Sequence, residues 1–190
     1  AIAEANVTRS EGLNFFSLDE AKKTVLVVGG SLGAKSINEA IDKGLDDLLN
    51  AGLQIIWQTG KPFSEKAKER ANGVPSVRVH EFIVKMEYAY AAADIVVARA
   101  GAMTVAELCV AKKTALFVPY PFAAEDHQMV NARQLEKKNA ALIVKDSEAM
   151  QKLVFMTIEL SMDEGKQDEL KKNISALAIR DADVKIAEEV

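Results

Sequence analysis

The sequence is organised around Thr24–Gly33, which reads TVLVVGGSLG. Five strand-forming residues are followed at once by a loop that contains three glycines. The helical pattern after this loop has apolar residues at Ile37, Ile41, Leu45 and Leu48. Glycines let the backbone approach an anion closely, and Ser31 adds a hydroxyl donor. The first N–H groups of the helix face the same place, with the positive end of the helix dipole behind them. The pattern therefore predicts a site for a phosphorylated ligand.

The glycine spacing separates this loop from two common nucleotide-binding loops. A dinucleotide fingerprint requires G-x-G-x-x-G and an acidic residue about 20 positions later, whereas this loop reads GGSLG and the second apolar segment ends at Gln58-Thr59. A nucleotide-hydrolase loop requires G-x-x-x-x-G-K-[ST], but Gly29–Ser36 has Ala34 in place of the second glycine. We expect no NAD or other cofactor. A noncatalytic nucleotide-binding module that uses Lys35-Ser36 stays an alternative.

The composition is typical of a globular protein that binds a small molecule. Of 190 residues, 49% are apolar and 27% are charged, which suits one α/β unit with a sizeable core. The net charge of −4 argues against nonspecific nucleic-acid binding, because no basic surface is available to displace counterions from phosphates. No apolar run reaches the roughly 18 residues that span a bilayer, so we expect a cytoplasmic protein. The chain begins without methionine, and we interpret it as part of a longer protein.

The sequence predicts neither a disulfide nor a metal site. Cys109 is the only cysteine, so it cannot form an internal disulfide. We interpret it as a small buried hydrophobe, with a catalytic thiol as the alternative. No pair of cysteines or histidines has the spacing of metal ligands. Asp181-Ala182-Asp183 matches a D-x-D metal-binding pattern but lies in a polar tail, and we therefore set it aside.

Short apolar segments alternate with helical patterns along the chain. The six segments are residues 25–28, 53–57, 77–79, 94–97, 115–118 and 141–144. This alternation implies βαβ units and a parallel sheet that is covered on both faces. Right-handed crossovers then give a doubly wound α/β sheet of about six strands, which binds its ligand in the crevice beyond the carboxyl ends of the strands. The helical patterns after Val144 are expected to close the flank of the sheet or to dock on another domain.

Three loops at that edge contain further candidate residues. Arg99–Glu107 reads RAGAMTVAE, and Glu107 on the first or second helical turn either accepts the two hydroxyls of a ribose or complements the helix dipole. Val118–Gln128 is a long irregular loop of the kind that is often functional, although Glu125 or Asp126 also fits a simple helix cap. Phe82-Ile83 either sandwiches an aromatic base or belongs to the core.

Together these segments resemble the carboxyl-terminal half of the MurG family. Its members are GT-B glycosyltransferases that transfer N-acetylglucosamine from UDP to undecaprenyl-linked muramyl pentapeptide during peptidoglycan synthesis. The resemblance rests on four segments in the same order, residues 27–34, 81–94, 99–107 and 119–132. It implies a Rossmann-like domain, UDP-N-acetylglucosamine as the ligand, and roles in cell wall biogenesis, cell shape and cell division.

The resemblance assigns donor-binding roles to Gly29, Gly30, Ser31, Gly33, Phe82, Ile83, Ala102, Met103, Thr104, Glu107, His127 and Gln128. The first four would contact the diphosphate. Phe82 and Ile83 would flank the uracil, with backbone hydrogen bonds from Ile83. Glu107 would hold the ribose hydroxyls, and residues 102–104 would line the crevice for phosphate and nucleoside. Gln128 would bind the sugar.

His127 departs from the family pattern, because other members have two glutamines at positions 127 and 128. No catalytic residue is expected in this chain, since the family places its proposed base and its lipid-acceptor loops in the amino-terminal half. We therefore expect the chain alone to be inactive. A different GT-B UDP-sugar transferase, such as an epimerase-like or glycolipid-forming relative, stays a second alternative.

The resemblance also implies domain boundaries and a mechanism. Residues 1–23 would be a helical segment after the interdomain linker, residues 24–162 the UDP-sugar-binding domain, and residues 163–190 a helical segment that packs on the amino-terminal domain. The full-length protein would be a hexosyltransferase that inverts the anomeric centre without a metal ion. Helix N-termini and loop amides would stabilise the leaving group. It would lie on the cytoplasmic face of the inner membrane and contact the membrane and the lipid-linked acceptor through its amino-terminal half.

Overall fold

Six parallel strands form one sheet in the computed structural model, which describes residues 6–178. The strands are β1 (Thr24–Val28), β2 (Gln54–Gln58), β3 (Val77–His80), β4 (Ile95–Ala98), β5 (Thr114–Phe117) and β6 (Leu142–Ile143). Their spatial order is β3-β2-β1-β4-β5-β6, and every pairing is parallel. This is the order of a doubly wound sheet, so the predicted fold class is confirmed. The D-x-D pattern at residues 181–183 lies outside the described residues.

The central strand explains why the apolar segments form a sheet rather than helices. All five residues of β1 are buried, as is typical of a parallel strand covered on both faces. Leu26 lies opposite Ile56 of β2 and Val96 of β4, and all three side chains belong to the hydrophobic core on one face. Val25 and Val27 belong to the core on the other face. The alternation of faces follows from the two-residue period of a strand.

Helices cover both faces of the sheet. The described residues form nine α-helices: α1 (Arg9–Phe15), α2 (Lys35–Lys43), α3 (Leu45–Asn50), α4 (Lys61–Arg70), α5 (Met86–Ala92), α6 (Ala102–Ala111), α7 (His127–Glu136), α8 (Ala149–Met162) and α9 (Glu164–Ser175). Side chains of α1, α5, α6 and α7 pack on one face, and those of α2, α3, α4 and α8 pack on the other. None of the helices within residues 6–178 is long and apolar enough to cross a membrane.

The prediction of a single helix after the glycine loop is wrong in one respect, because the structure has a break at Gly44. Helix α2 ends at Lys43 and α3 begins at Leu45, although the four predicted apolar positions are all fully buried. A Cβ atom on Gly44 would lie 2.6 Å from a methyl carbon of Val154 in α8. The close approach of α8 therefore requires glycine at this point, and glycine weakens the helix that contains it.

Helices outside residues 24–162 also contribute to the core. Leu13 of α1 is fully buried in the core of one face, and the exposed Phe15 of the same helix stacks on Tyr88 of α5 with ring centroids 4.7 Å apart. Leu170 and Ile174 of α9 are fully buried, one in the core of each face. Leu153 of α8 is likewise fully buried, so α8 and α9 close one flank of the sheet. The division of the chain at residues 23 and 162 stays a prediction.

Cys109 is part of this core. It is 5% exposed on α6, which confirms the interpretation as a small buried hydrophobe. Burial raises the pKa of its thiol, whereas a catalytic cysteine needs a lowered pKa.

The amino edge of the sheet contains a half-buried lysine. Lys113 donates hydrogen bonds from Nζ to the carbonyl oxygens of Ala91 at 3.4 Å and Ala93 at 2.9 Å. Burial, with smaller contributions from Lys171 and Arg9, lowers the pKa of Lys113 to about 8, although Asp94 opposes the change. The protonated side chain is therefore less favourable in the folded chain than in the unfolded chain.

This arrangement predicts a pH-dependent stability. Below pH 8 Lys113 is protonated in both the folded and the unfolded chain, and its desolvated charge destabilises the folded chain. Between pH 8 and 10.5 the folded chain has lost this proton, whereas the unfolded chain still holds it. The free energy of unfolding of the native chain, relative to that of Lys113→Met, should therefore rise across this range by about 2 kcal/mol. Urea unfolding at several pH values measures this difference. A difference that stays constant with pH would show that Lys113 does not titrate in this range.

Candidate functional site

The loop after β1 packs directly on the loop after β2, backbone against backbone. Gly33 has φ +76°, and a Cβ atom there would lie 1.9 Å from the carbonyl oxygen of Thr59. A Cβ atom on Gly60 would lie 2.3 Å from the carbonyl carbon of Leu32. The N–H of Gly33 also donates to the carbonyl oxygen of Gly30 at 3.1 Å, which closes a tight turn. Ser31 stands exposed at the top of this turn.

A buried asparagine fixes the position of α2 below this loop. Asn38 is 3% exposed, and its Nδ2 donates to the carbonyl oxygen of Thr59 at 2.8 Å. Its Oδ1 accepts from the indole N–H of Trp57 at 2.9 Å. Every polar atom of this side chain therefore joins α2 to β2 or to the loop that follows it. The start of α2 is held against the glycine loop as a result.

Gln58 connects the glycine loop to the loop after β3. It is the last residue of β2 and is 4% exposed. Its Nε2 donates to the carbonyl oxygen of Gly30 at 3.1 Å, and its Oε1 accepts from the N–H of Ile83 at 2.8 Å. Sequence reasoning noticed only that Gln58 is not acidic and missed this role. Because the N–H of Ile83 already donates to Gln58, a hydrogen bond between its backbone and a base has to use its carbonyl oxygen as the acceptor.

We expect Gln58→Leu to loosen both loops at once. Leucine fills a similar volume but leaves the buried carbonyl of Gly30 and N–H of Ile83 without a partner, which costs about 1–3 kcal/mol for each group. The free energy of unfolding should fall by at least about 2 kcal/mol, and nucleotide affinity should fall with it. Thermal unfolding and a ligand titration test both effects. An unchanged melting temperature would contradict the role assigned to Gln58.

The structure separates the two residues predicted to flank a base. Phe82 is 56% exposed and can face a ligand, whereas Ile83 is 3% exposed and its side chain belongs to the core. The predicted contact of Ile83 is thereby restricted to its backbone.

The start of α6 lies beyond β4, beside the glycine loop beyond β1. Gly101 precedes the helix, and Ala102 and Met103 are exposed while Thr104 is half-buried. Within residues 6–178, no side chain caps the first turn of α2 or of α6 by a hydrogen bond. Thr8 caps α1 and Asp163 caps α9, whereas the N-cap residues of the other described α-helices, α2 and α6 included, make no side-chain hydrogen bond to the first turn. The first N–H groups of α2 and α6 are therefore not occupied by an N-cap side chain at the carboxyl edge of the sheet.

Glu107 lies on the second turn of α6, as predicted, and a tyrosine holds it. The hydroxyl of Tyr90 on α5 donates to Glu107 Oε2 at 2.8 Å. Burial and the neighbouring charge of Glu107 raise the pKa of Tyr90 well above its usual value. Tyr90 therefore stays protonated and acts as a hydrogen-bond donor. Sequence reasoning did not assign this role to Tyr90.

Gln128 connects the loops after β4 and β5. Its Oε1 accepts from the N–H groups of Ala100 at 3.2 Å and Tyr120 at 2.9 Å. Asn131, one turn later on α7, donates to the carbonyl oxygen of Ala100 at 3.2 Å. A hydrogen bond from Gln128 to a sugar therefore has to come from its NH₂ group. His127 is exposed as the first residue of α7.

A half-buried arginine, Arg99, forms a third connection between loops and engages the hydroxyl of Ser36. Arg99 donates to Asp146 and to the hydroxyl of Ser36, the latter at 3.1 Å, and Ser36 also donates to Asp146. Lys35 is directed into solvent, where its Nζ lies 3.9 Å from Glu39. Neither residue of Lys35-Ser36 is therefore arranged to serve a nucleotide-hydrolase loop.

All twelve predicted ligand residues follow β1, β3, β4 or β5, so the parallel sheet brings them to one edge. The hydrogen bonds of Gln58, Gln128 and Arg99 then join neighbouring loops into a continuous surface. Among the described residues, no group of three or more histidine, cysteine, aspartate or glutamate side chains is placed to hold a metal ion.

The sheet order and the glycine loop define an α/β domain of the Rossmann-like class. The chain belongs to the family described as glycosyltransferase family 28 C-terminal domain, whose family model matches residues 24–188. It is similar to the UDP-N-acetylglucosamine–N-acetylmuramyl-(pentapeptide) pyrophosphoryl-undecaprenol N-acetylglucosamine transferase of Flavobacterium psychrophilum, with 43% identity over 182 residues. The alignment covers 96% of this chain and 49% of that relative.

Two further comparisons agree. The same transferase from Phocaeicola vulgatus is 42% identical over 188 residues, which cover 97% of this chain and 50% of the relative. The crystal structure of Acinetobacter baumannii MurG superposes with a TM-score of 0.80 and 29% identity, covering 100% of this chain and 55% of that structure. The predicted resemblance to one half of a GT-B glycosyltransferase is thereby confirmed. The chain spans about half the length of the curated relatives it matches.

Proposed function

We propose that this chain is the UDP-N-acetylglucosamine-binding half of a glycosyltransferase that adds N-acetylglucosamine to undecaprenyl-pyrophosphoryl-muramyl pentapeptide. The chain supplies the donor site, and the other half of the full-length enzyme supplies the acceptor site. The names of the relatives support this choice of donor and acceptor. The chain alone binds the nucleotide but does not catalyse transfer.

One observation carries the proposal, namely where α2 and α6 begin. Strands β1 and β4 are neighbours in the sheet. The chain continues from β1 to β2 on one side of this pair and from β4 to β5 on the opposite side, so the direction of winding reverses between β1 and β4. Ligands of doubly wound sheets bind in the crevice outside this point. Both helices that start there have uncapped first turns. Two helix N-termini directed at one crevice favour a diphosphate.

The remaining contacts follow from the geometry around that crevice. Ser31 and the amides of the glycine loop hold the diphosphate. Glu107 accepts the ribose hydroxyls, and the exposed ring of Phe82 covers the uracil beside the carbonyl of Ile83. Gln128 donates from its NH₂ group to the sugar, and His127 lies beside it. Ala102, Met103 and Thr104 line the crevice between phosphate and nucleoside.

In the full-length enzyme, an acceptor hydroxyl attacks the anomeric carbon of the sugar while UDP leaves, with inversion at that carbon. The chain described here stabilises the charge that develops on UDP, through loop amides and the N-termini of α2 and α6. These fixed dipoles supply the stabilisation that a metal ion supplies in other transferases, and we propose a metal-independent reaction on that basis.

The other half of the enzyme covers the apolar side chains around the crevice. Leu32, Val84, Met103 and Phe122 are each at least 77% exposed. All four follow the carboxyl ends of strands, and exposed apolar side chains along one edge of a domain are typical of an interface. Through that half, the full-length protein reaches the lipid-linked acceptor on the cytoplasmic face of the membrane. Residues 24–162 form the donor domain, and residues 163–190 also contact the other half.

Calorimetric titration tests the proposal. UDP and UDP-N-acetylglucosamine should bind the chain in the absence of magnesium, whereas ADP with or without magnesium should bind much more weakly. Titration with a panel of other UDP-sugars distinguishes this transferase from a different GT-B transferase, because only the residues around Gln128 contact the sugar. Preference for ADP with magnesium would overturn the proposal in favour of a general nucleotide-binding module.

A further inference from the structure

We propose that Tyr90 is a positioning residue that orients the Glu107 carboxylate for the ribose hydroxyls. This inference rests on the proposed function, because it concerns how that site reads the ribose. Tyr90 touches neither the nucleotide nor the reacting atoms and acts through Glu107.

The two residues come from different helices, and their contact is a single hydrogen bond. Tyr90 lies on α5, is 2% exposed, and belongs to the core beneath the sheet edge. Its hydroxyl donates to Glu107 Oε2 at 2.8 Å from the side of the protein interior. Glu107, on α6, is only half-buried, so its carboxylate lies at the boundary between core and crevice. One side of the carboxylate is therefore held by the protein, and the other faces outward.

The chemistry of the two groups makes this arrangement suitable for a vicinal diol. An ionised carboxylate has about four lone-pair sites on two oxygens, so Oε2 can accept from Tyr90 and still accept from a ribose hydroxyl. Oε1 is available for the second hydroxyl. A tyrosine hydroxyl that stays protonated leaves Glu107 an acceptor for the ligand, because it donates its proton to the carboxylate and brings no second negative charge beside it.

Fixing the carboxylate before the ligand arrives also reduces the entropic cost of binding. A free glutamate side chain loses up to about 1.5–2 kcal/mol of rotamer entropy when it is immobilised. The bond from Tyr90 immobilises Glu107 during folding instead of during binding. A ligand with both ribose hydroxyls therefore gains affinity from Tyr90, and a ligand without them does not.

The competing explanation is that the bond only ties α5 to α6. Tyr90→Phe distinguishes the two, since it keeps the buried ring and removes the hydroxyl alone. We would titrate the chain with UDP and with its 2′,3′-dideoxy analogue, using native chain, Tyr90→Phe, Glu107→Ala and the double variant. Tyr88→Phe is the matched control, because it removes a hydroxyl from the same helix without a contact to Glu107.

Tyr90→Phe should weaken UDP binding about 3- to 10-fold, because part of the rotamer entropy of Glu107 is then lost on binding instead of on folding. It should leave the affinity for the dideoxy analogue unchanged, and it should have no further effect in the Glu107→Ala background, where no carboxylate remains to be positioned. Tyr88→Phe should bind both ligands as the native chain does.

Two results would overturn the positioning role. Either Tyr90→Phe binds UDP as tightly as the native chain, or it loses the same factor for UDP and for the dideoxy analogue, which a loosened fold would produce. In both cases UDP still binds and the proposed function stands. Failure of the native chain to bind UDP at all would overturn the proposed function and this inference together.

Discussion

Gly33→Ala is expected to abolish UDP binding and to lower the free energy of unfolding by about 3 kcal/mol or more. Two effects add. An alanine at φ +76° costs about 1 kcal/mol, because its Cβ crowds the backbone in the left-handed region. The new Cβ would also lie 1.9 Å from the carbonyl oxygen of Thr59, a backbone atom that cannot rotate away. The glycine loop must therefore separate from the end of β2, and its amides lose their common orientation.

Gly52→Ala provides the matched control. Gly52 has φ +78° but nothing within 4 Å of the position of a Cβ atom, so it isolates the conformational cost from the steric one. It should lower the free energy of unfolding by only about 1 kcal/mol and leave UDP affinity unchanged. Urea unfolding and calorimetry of both variants make the comparison. If Gly33→Ala were as stable as Gly52→Ala and still bound UDP, the loop would not be the diphosphate site.

Glu107→Gln should weaken UDP binding about 10- to 100-fold while the chain stays folded. Glutamine has nearly the same shape and can still accept from Tyr90, but it loses the charge that strengthens the bonds to two ribose hydroxyls, each worth roughly 1.5–3 kcal/mol with a charged partner. The simple alternative, that Glu107 complements the helix dipole, predicts a small loss of stability and no loss of affinity.

Glu87→Gln is the control for this substitution. Glu87 is on α5 and its carboxylate lies 3.7 Å from Lys85 Nζ, in a partly exposed ion pair of the kind that contributes little. UDP titrations of the two variants, together with thermal unfolding, separate the explanations. Equal affinity of Glu107→Gln and the native chain would remove Glu107 from the site.

The sheet could be predicted from sequence because its strands carry their own signal. Runs such as Val25–Val28 are apolar at every position. This pattern is typical of a parallel strand that is covered on both faces. The predicted edges of the strands differ from the structure by no more than one residue, as expected where the ends of strands depend on hydrogen bonds. The loops that hold the candidate ligand residues then follow from the parallel arrangement.

The hydrogen bonds between loops could not be predicted in the same way. Gln58 reaches Ile83, which is 25 residues away, and Gln128 reaches Ala100, which is 28 residues away. An amide at the end of a strand or the start of a helix gives no local signal of such a partner. The break at Gly44 has the same origin, because the cause is Val154 on a distant helix. Tertiary contacts thus decide how the site is held, whereas local pattern decides where it lies.

Amide chemical shifts recorded during a titration with UDP would test the central claim most directly. The claim is that the crevice between β1 and β4 holds the pyrophosphate on the first amides of two helices. We expect the largest shifts at residues 29–33 and 102–104, with smaller shifts at Phe82 and Glu107. Shifts confined to other parts of the chain, or the absence of shifts at saturating UDP, would contradict it.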